Sequence, residues 1–264
     1  MTDNNFSHIT MTPKATPLKE IQAANPRVKF TSSNVVTEEW EGFLWNEGEA
    51  PLCLEKIAES HEKWVNKKTP HFTELRLPED VVLTTGITLQ EALDAHKRWL
   101  SNPRTGARFV YGGDLSGINL RNLNLSKSVL AGAVLSESDL SYTDFSNATM
   151  TDSDLVRAVI RNTNFQAASL RFANMAGADA SYAIFSFAKL DHANMFKVNL
   201  GSAIFGGTSM EGTDLLEASL SSTQFNYVDL RLTCISGAEI FTTTSFTGSL
   251  MRDSLFIVLQ KLNS

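Results

Sequence analysis

Cysteine is nearly absent from this sequence: among 264 residues there are two, Cys53 and Cys234, and two lone thiols fit a reduced cytosolic protein better than a bridged one. No stretch approaches the ~18 consecutive apolar residues that a membrane span needs, so no membrane partner is expected. Residues 1–14 carry acidic, polar and histidine side chains around no apolar core, which argues against a secretory signal. Positive charge is also short. Lys and Arg number 23 against 29 Asp and Glu, a formal net charge of −6, and direct nucleic-acid binding needs the opposite balance. Catalytic vocabulary is thin. There is no Gly-x-x-x-x-Gly-Lys phosphate loop, no dinucleotide fingerprint, and no cluster of Cys and His at metal-ligand spacing. Between Gly113 and Ile240 the sole histidine is His192, so a nucleophile, base and orienting group have no means of converging there. No catalytic residue, cofactor site or metal site is therefore expected.

What the sequence does have is a period of five. From Leu115 to Ile240 every fifth residue is large and apolar at 25 of 26 positions, with Ala180 the exception. A composition that is 42% apolar predicts about 11 such hits, so the pattern is a repeat. Five matches neither the 3.6 of a helix nor the 2.0 of a strand, so each unit is a short extended piece followed by a turn. Two residues before each large side chain stands Ala, Ser, Thr or Gly at 22 of the 26 positions, an inward site with little room. Phe145, Phe165, Phe185, Phe205 and Phe225 recur every 20 residues, which makes four units one coil. Coils stacked at the ~4.8 Å spacing of adjacent strands place those rings in one column, and 6.5 coils span about 31 Å.

This pattern resembles the pentapeptide-repeat family, with its Ala-(Asp/Asn)-Leu-x-x consensus, as in Ala173-Asn174-Met175 and Ala193-Asn194-Met195. The resemblance implies a right-handed quadrilateral β-helix. It further implies, from the family's best-known members, a DNA-mimicking rod that binds a topoisomerase or another nucleic-acid enzyme. The helix His96-x-x-Trp99-Leu100, then Gly106-Ala-Arg108 and at once the repeats, is similar to the lead-in of bacterial and phage members, which implies the cytoplasm of a bacterium or of an infected host cell.

The rest of the chain divides around the rod. Residues 1–33 read as an arm without its own core, and 34–110 as a small α+β domain. In that domain Trp40, Phe43, Leu44 and Trp45 follow Thr37 as a short helix, and a motif occurs twice: Leu54, Ile57, Ala58, His61, Trp64 and Val65 return 35 residues on as Leu89, Ala92, Leu93, His96, Trp99 and Leu100. Both copies have helix spacing, and Thr88 with Glu91 forms a capping-box signature before the second. His61 and His96 lie on the apolar stripes, which marks them as packed side chains. Between the copies Phe72–Leu77 alternates like a strand, Pro78-Glu-Asp turns the chain, and Val81–Leu83 resumes. Ile118 and Leu123, oversized for the small inward position, fit a first coil packed by a cap. The rod is expected over 111–248 and a capping helix over 249–264, where Met251, Leu255, Phe256, Leu259 and Leu262 supply apolar surface enough for a homodimer through the C-terminal end.

Sorting residues by their place in the 20-residue period gives two candidate surfaces. One face is the most acidic, with Asp114, Glu137, Asp154, Asp214 and Glu217 against Arg157 and Lys197. Five carboxylates on ~31 Å fall short of a duplex, which carries one phosphate charge per ~1.7 Å. The face over the phenylalanine column carries no charge in units 163–167, 183–187, 203–207 and 223–227, and presents Ile184, Phe187, Ile204 and Tyr227 at outward positions. Apolar residues grouped where solvent is expected mark a protein contact. The function expected is a non-catalytic protein–protein interaction module, with the acidic competitor as the alternative.

Overall fold

The computed structural model describes residues 28–30, 36–38, 74–235, 237–241 and 243–251. Two short strands, β1 (Val28–Phe30) and β2 (Val36–Glu38), form an antiparallel pair in which Thr37 faces Lys29. Thr37 is thus inside a strand and is not a helix cap, and the pair crosses the expected boundary at residue 33. The expected helix at 40–45, the first copy of the duplicated motif with His61, and the C-terminal helix after Met251 lie outside the described residues.

From Asp114 onward the chain is a four-sided coil. Parallel bridges link residues that precede a large inward side chain to their equivalents 20 residues on, as in Asp114↔Val134, Asn119↔Asp139, Asn124↔Asp144 and Val129↔Thr149. Unit 163–167 shows how a coil is held. Asn164 N–H donates back to Thr143 O at 3.0 Å, while Phe165 and Ala167 N–H donate forward to Ile184 O and Ser186 O at 2.7 and 3.0 Å. Ala168 N–H closes the turn onto Phe165 O at 3.0 Å. The second turn residue has φ near +60°, including eighteen non-glycine residues from Asn122 to Tyr227. Such a backbone is a type II turn, and its recurrence at each corner from Gly117 to Tyr227 makes the left-handed residue a property of the repeat and not of one site.

The interior explains the composition of the repeat. The inward phenylalanine rings stack 5.6, 5.2, 4.8 and 4.9 Å apart from Phe145 to Phe225. At the small inward position Ser and Thr are tolerated because their hydroxyls donate to a carbonyl of the coil before: Ser138 to Leu115 O, Thr163 to Leu140 O and Thr223 to Leu200 O, at 2.8 to 2.9 Å. Asp or Asn is favoured before the large residue because its carboxyl or amide oxygen accepts the N–H of the first turn residue, as Asp144 does from Ser146 and Asn194 from Phe196.

The rod continues beyond Ile240 with one extra residue. Glu239 still pairs 20 residues back with Ser219, but Ser245 and Leu250 pair 21 back with Gln224 and Asp229. Phe246 extends the ring column, 5.3 Å from Phe225, and Met251 is buried without helical structure. Both the expected end of the rod at 248 and the place of Met251 in a terminal helix are therefore corrected. Met251 keeps inward spacing once the inserted residue is counted. Cys234 is disulfide-bonded, which corrects the expectation of reduced thiols. It occupies the outward position before Ile235, where a sulfur is presented away from the core.

The first coil is closed by residues 74–111. Arg76 stands in for a preceding coil, donating its N–H to Gly117 O at 2.7 Å and accepting from Asn119 N–H at 2.9 Å. Pro78–Asp80 is a 3₁₀ turn, and Val82 pairs with Thr88. Helix α1 (Leu89–Ser101) starts at the expected capping box, with both hydrogen bonds made between Thr88 and Glu91. Its stripe of Leu89, Ala92, Leu93 and His96 is buried and joins one core with Phe109, Leu115 and the rod interior. Gly106 permits the return, since a Cβ there would lie 2.2 Å from Ala95 O and 2.4 Å from Trp99 N. Ile118 is fully buried and Leu123 packs on the same core, as a capped end requires.

Candidate protein-binding face

Along the phenylalanine column the outward ladder runs Asn124, Asp144, Asn164, Ile184, Ile204, Gln224 and Ser245. Its first half is polar and self-satisfied: Asn164 Nδ2 donates to Asp144 Oδ1 at 3.1 Å while each side chain also caps its own turn. At Ile184 and Ile204 the capping side chain is replaced by a β-branched one that suits an extended backbone. The two isoleucines are hydrogen-bonded neighbours and half-buried. Phe187 and Tyr227, at the corner of the same face, are 64% and 74% exposed. The Phe187 ring lies over Gly207, where a Cβ would meet it at 3.0 Å, and the Tyr227 ring lies over Gly248, where one would meet it at 2.6 Å. The four residues therefore lie on three adjacent coils of one side, two open and two partly sheltered.

The acidic set is brought to one face but is engaged there. Glu137 pairs with Arg157 at 3.3 Å and Glu217 with Lys197 at 3.2 Å. Asp114, Asp154 and Asp214 accept the backbone N–H groups of Ser116, Val156 and Leu216 at 2.8, 3.1 and 2.8 Å, and Asp214 is buried. Burial pushes the Asp114 carboxyl up, but donors from Ser116 and the Arg76 charge outweigh it and leave Asp114 below the usual range. These carboxylates serve turn geometry and ion pairing.

His96 is packed as expected. Its Nε2 lies 3.1 Å from Ser126 O, its Nδ1 accepts from Phe109 N–H at 3.0 Å, and Trp99 stacks on it at 5.6 Å. This pairing assigns a neutral ring with the proton on Nε2. Among the described residues no group of His, Cys, Asp and Glu is placed to hold a metal ion, and no helix is long and apolar enough to cross a membrane.

Two features escaped the sequence reading. Tyr142, Phe172 and Tyr182 are exposed corner residues, with Phe172 stacked on His192 at 5.2 Å. Val156, Ala176 and Phe196 are buried although they are first turn residues of the acidic face, and Leu216 packs with them. Their 20-residue spacing is the signal the sequence carries for this cluster.

Three stretches, residues 114–152, 158–195 and 193–231, match the family described as Pentapeptide repeats, with 8 copies. Solved structures that the chain is similar to include QnrB1, a plasmid-mediated fluoroquinolone resistance protein, at 14% identity and a TM-score of 0.33, covering 58% of this chain and 95% of that one. HetL, a pentapeptide repeat protein involved in heterocyst differentiation regulation from Nostoc sp. strain PCC 7120, is similar at 23% identity and a TM-score of 0.22, covering 59% and 96%. Rfr23, a pentapeptide repeat protein from Cyanothece 51142, is similar at 22% identity and a TM-score of 0.22, covering 59% and 99%. No curated relative matches at the level of sequence.

Proposed function

With residues 114–231 a run of pentapeptide repeats in a right-handed quadrilateral β-helix, we propose that this protein is a non-catalytic interaction module whose rod docks another protein on the face over the phenylalanine column. The observation that carries this reading is the juxtaposition of exposed Phe187 and Tyr227 with Ile184 and Ile204 on a strip without charge. Large apolar side chains grouped on successive coils of a rigid scaffold offer a partner ready-made contact area at little entropic cost. The competing role, a DNA mimic aimed at a topoisomerase or another nucleic-acid enzyme, draws less support from the geometry, because the carboxylates of the acidic face are engaged in caps and ion pairs.

Capture from a bacterial lysate at low and high salt, using the native chain and a Phe187→Asn/Tyr227→Asn variant, tests the reading. Asn tolerates the left-handed backbone at both corners, so the variant removes the rings without breaking the turns. A partner retained at high salt by the native chain and lost by the variant is the expected result. A partner retained equally by both chains rules this face out. One released by salt from both favours the acidic competitor.

A further inference from the structure

Of the four faces of the rod, one runs through five successive coils without a charge. The ladder Asn164, Ile184, Ile204, Gln224 and Ser245 marks that stretch, and the units around it, from 163–167 to 243–248, contain no Asp, Glu, Lys or Arg. The other three faces are charged over the same coils, with Arg161 and Asp179 on one, Arg171, Lys189 and Glu211 on the next, and Lys197, Asp214 and Glu217 on the third. A partner selected by its charge has nothing to read on the bare strip. A second copy of the chain has the opposite requirement. Two-fold contact sets a surface against itself, so any charge near the axis would meet its own equivalent, and a strip without charge is what such contact needs.

The side chains along the strip are also distributed as a two-fold axis requires. An axis that crosses the strip at Ile204 and Gly207, with the two rods antiparallel, opposes coils at equal distances on either side. Phe187 lays its ring over Gly207 and is 64% exposed, so the two copies of that ring meet at the axis beside the two copies of Ile204. Tyr227, 74% exposed, lays its ring over Gly248, two coils after Gly207, and the corner residue two coils before Gly207 is Ala167. Each large ring is thereby set over a small corner of the other copy. Ile184 and Gln224, one coil to either side of Ile204, face each other. The first charges on this face, Asp144 and Lys127, lie three and four coils before the axis and outside the five-coil overlap.

We propose that the partner of this face is a second copy of the chain, in an antiparallel two-fold dimer centred on Ile204 and Gly207. The proposal rests on the reading of the strip as a protein-docking face and names what docks there. Five coils at ~4.8 Å give an overlap about 24 Å long. Phe187 and Tyr227 at their observed exposure carry roughly 250 Å² per copy, given ~150–250 Å² for an aromatic side chain. With the ladder and corner residues of five coils the two copies bury on the order of 1,000 Å², the lower bound for a specific interface. A dimer of that size forms at micromolar concentration.

Sedimentation velocity of the full chain from about 1 to about 100 µM, with Ile204→Asp, Ile204→Lys and an equimolar mixture of the two, tests the assignment. Both substitutions suit the backbone, since Asp144 occupies the same ladder and Lys189 the same repeat position on the neighbouring face, and circular dichroism of each variant checks that it is folded. The expected result is a native dimer, dissociation at least about tenfold easier for each variant alone, and tighter association in the mixture than in either component. Recovery in the mixture follows only if residue 204 of one copy faces residue 204 of the other, which a merely structural role for Ile204 does not produce. A native chain that stays monomeric to about 100 µM, a dimer that Ile204→Asp leaves intact, or a mixture no tighter than its components overturns the proposal. With the dimer overturned, the capture experiment with Phe187→Asn/Tyr227→Asn separately decides whether the face docks a different protein.

Discussion

The middle of the rod and its N-terminal end solve the same problem with different means. In the middle, each coil finds its hydrogen-bond partners and its packing surface in near-copies of itself, so Phe185 lies between Phe165 and Phe205 at 5.2 and 4.8 Å. At the end no earlier coil precedes the first among the described residues, and single-use residues do the same work. Arg76 completes the backbone ladder, His96 bridges Ser126 and Phe109, and Gly106 lets the chain pass tightly over α1. Repetition spreads stability over many equivalent contacts, whereas the cap concentrates it in a few that have no substitute.

The largest expected effect belongs to the middle. Phe185→Ala opens a cavity between two rings that rigid coils hold apart, and urea unfolding is expected to show a loss of roughly 3 to 5 kcal/mol. A loss below ~1 kcal/mol indicates that the coils collapse into the gap, and then the rod is more deformable than its ladder implies. Gly106→Ala probes the cap. A methyl group 2.2 Å from one backbone atom and 2.4 Å from another must displace the chain, at a cost of about 2 kcal/mol by the same measurement. If the middle resists through redundancy, Gly106→Ala should also loosen the first coil selectively, with faster amide exchange at Asn119 and Leu120 than at Leu200.

How much of this was legible in the sequence follows the same division. Positions such as Phe145 to Phe225 were readable because 26 units repeat one physical requirement, and the α1 start at Thr88 because a capping box is a local signal. The end of the rod was not, because one residue inserted between Glu239 and Ser245 moved Phe246 and Met251 out of register. Arg76 gave no signal, since its pairing with Ile118 joins residues 42 apart by backbone alone. On the candidate face Phe187 and Tyr227 are open, whereas the half-burial of Ile184 and Ile204 depends on neighbouring coils that a single unit does not reveal.

The cap should respond to pH between 7.5 and 5, above the range in which the depressed carboxyls of Asp139, Asp179 and Asp191 in the rod take up protons. Burial depresses the His96 pKa below 6.5, the Ser126 carbonyl works against this, and the Arg108 charge adds to the depression. In the unfolded chain the ring protonates near 6.5, so between that value and its folded one the unfolded state binds more protons. Stability contributed by the neutral ring is therefore complete above the unfolded value and is lost as pH falls through the window below it. One such group produces a slope no steeper than ~1.4 kcal/mol per pH unit. Urea midpoints measured from pH 7.5 to 5 should fall in the native chain, and His96→Gln should flatten that dependence. An unchanged slope in His96→Gln would move the titration to another group.

The smallest expected effect concerns Phe187, which belongs to the rod but not to its redundancy. Its ring lies outside the interior: it is 64% exposed and lies over Gly207. Its backbone sits at a φ of 60°, a conformation that a bulky residue adopts at some cost and that Asn adopts readily. Loss of ring contact and relief at the corner oppose each other in Phe187→Asn, so unfolding free energy should change by no more than ~0.5 kcal/mol. The contrast with Phe185, two residues away and pointing inward, is then close to the full range available to one side chain in this protein. A loss of 2 kcal/mol or more in Phe187→Asn would mean that the ring is structural, and the face it marks would lose its standing as a surface held open for a partner.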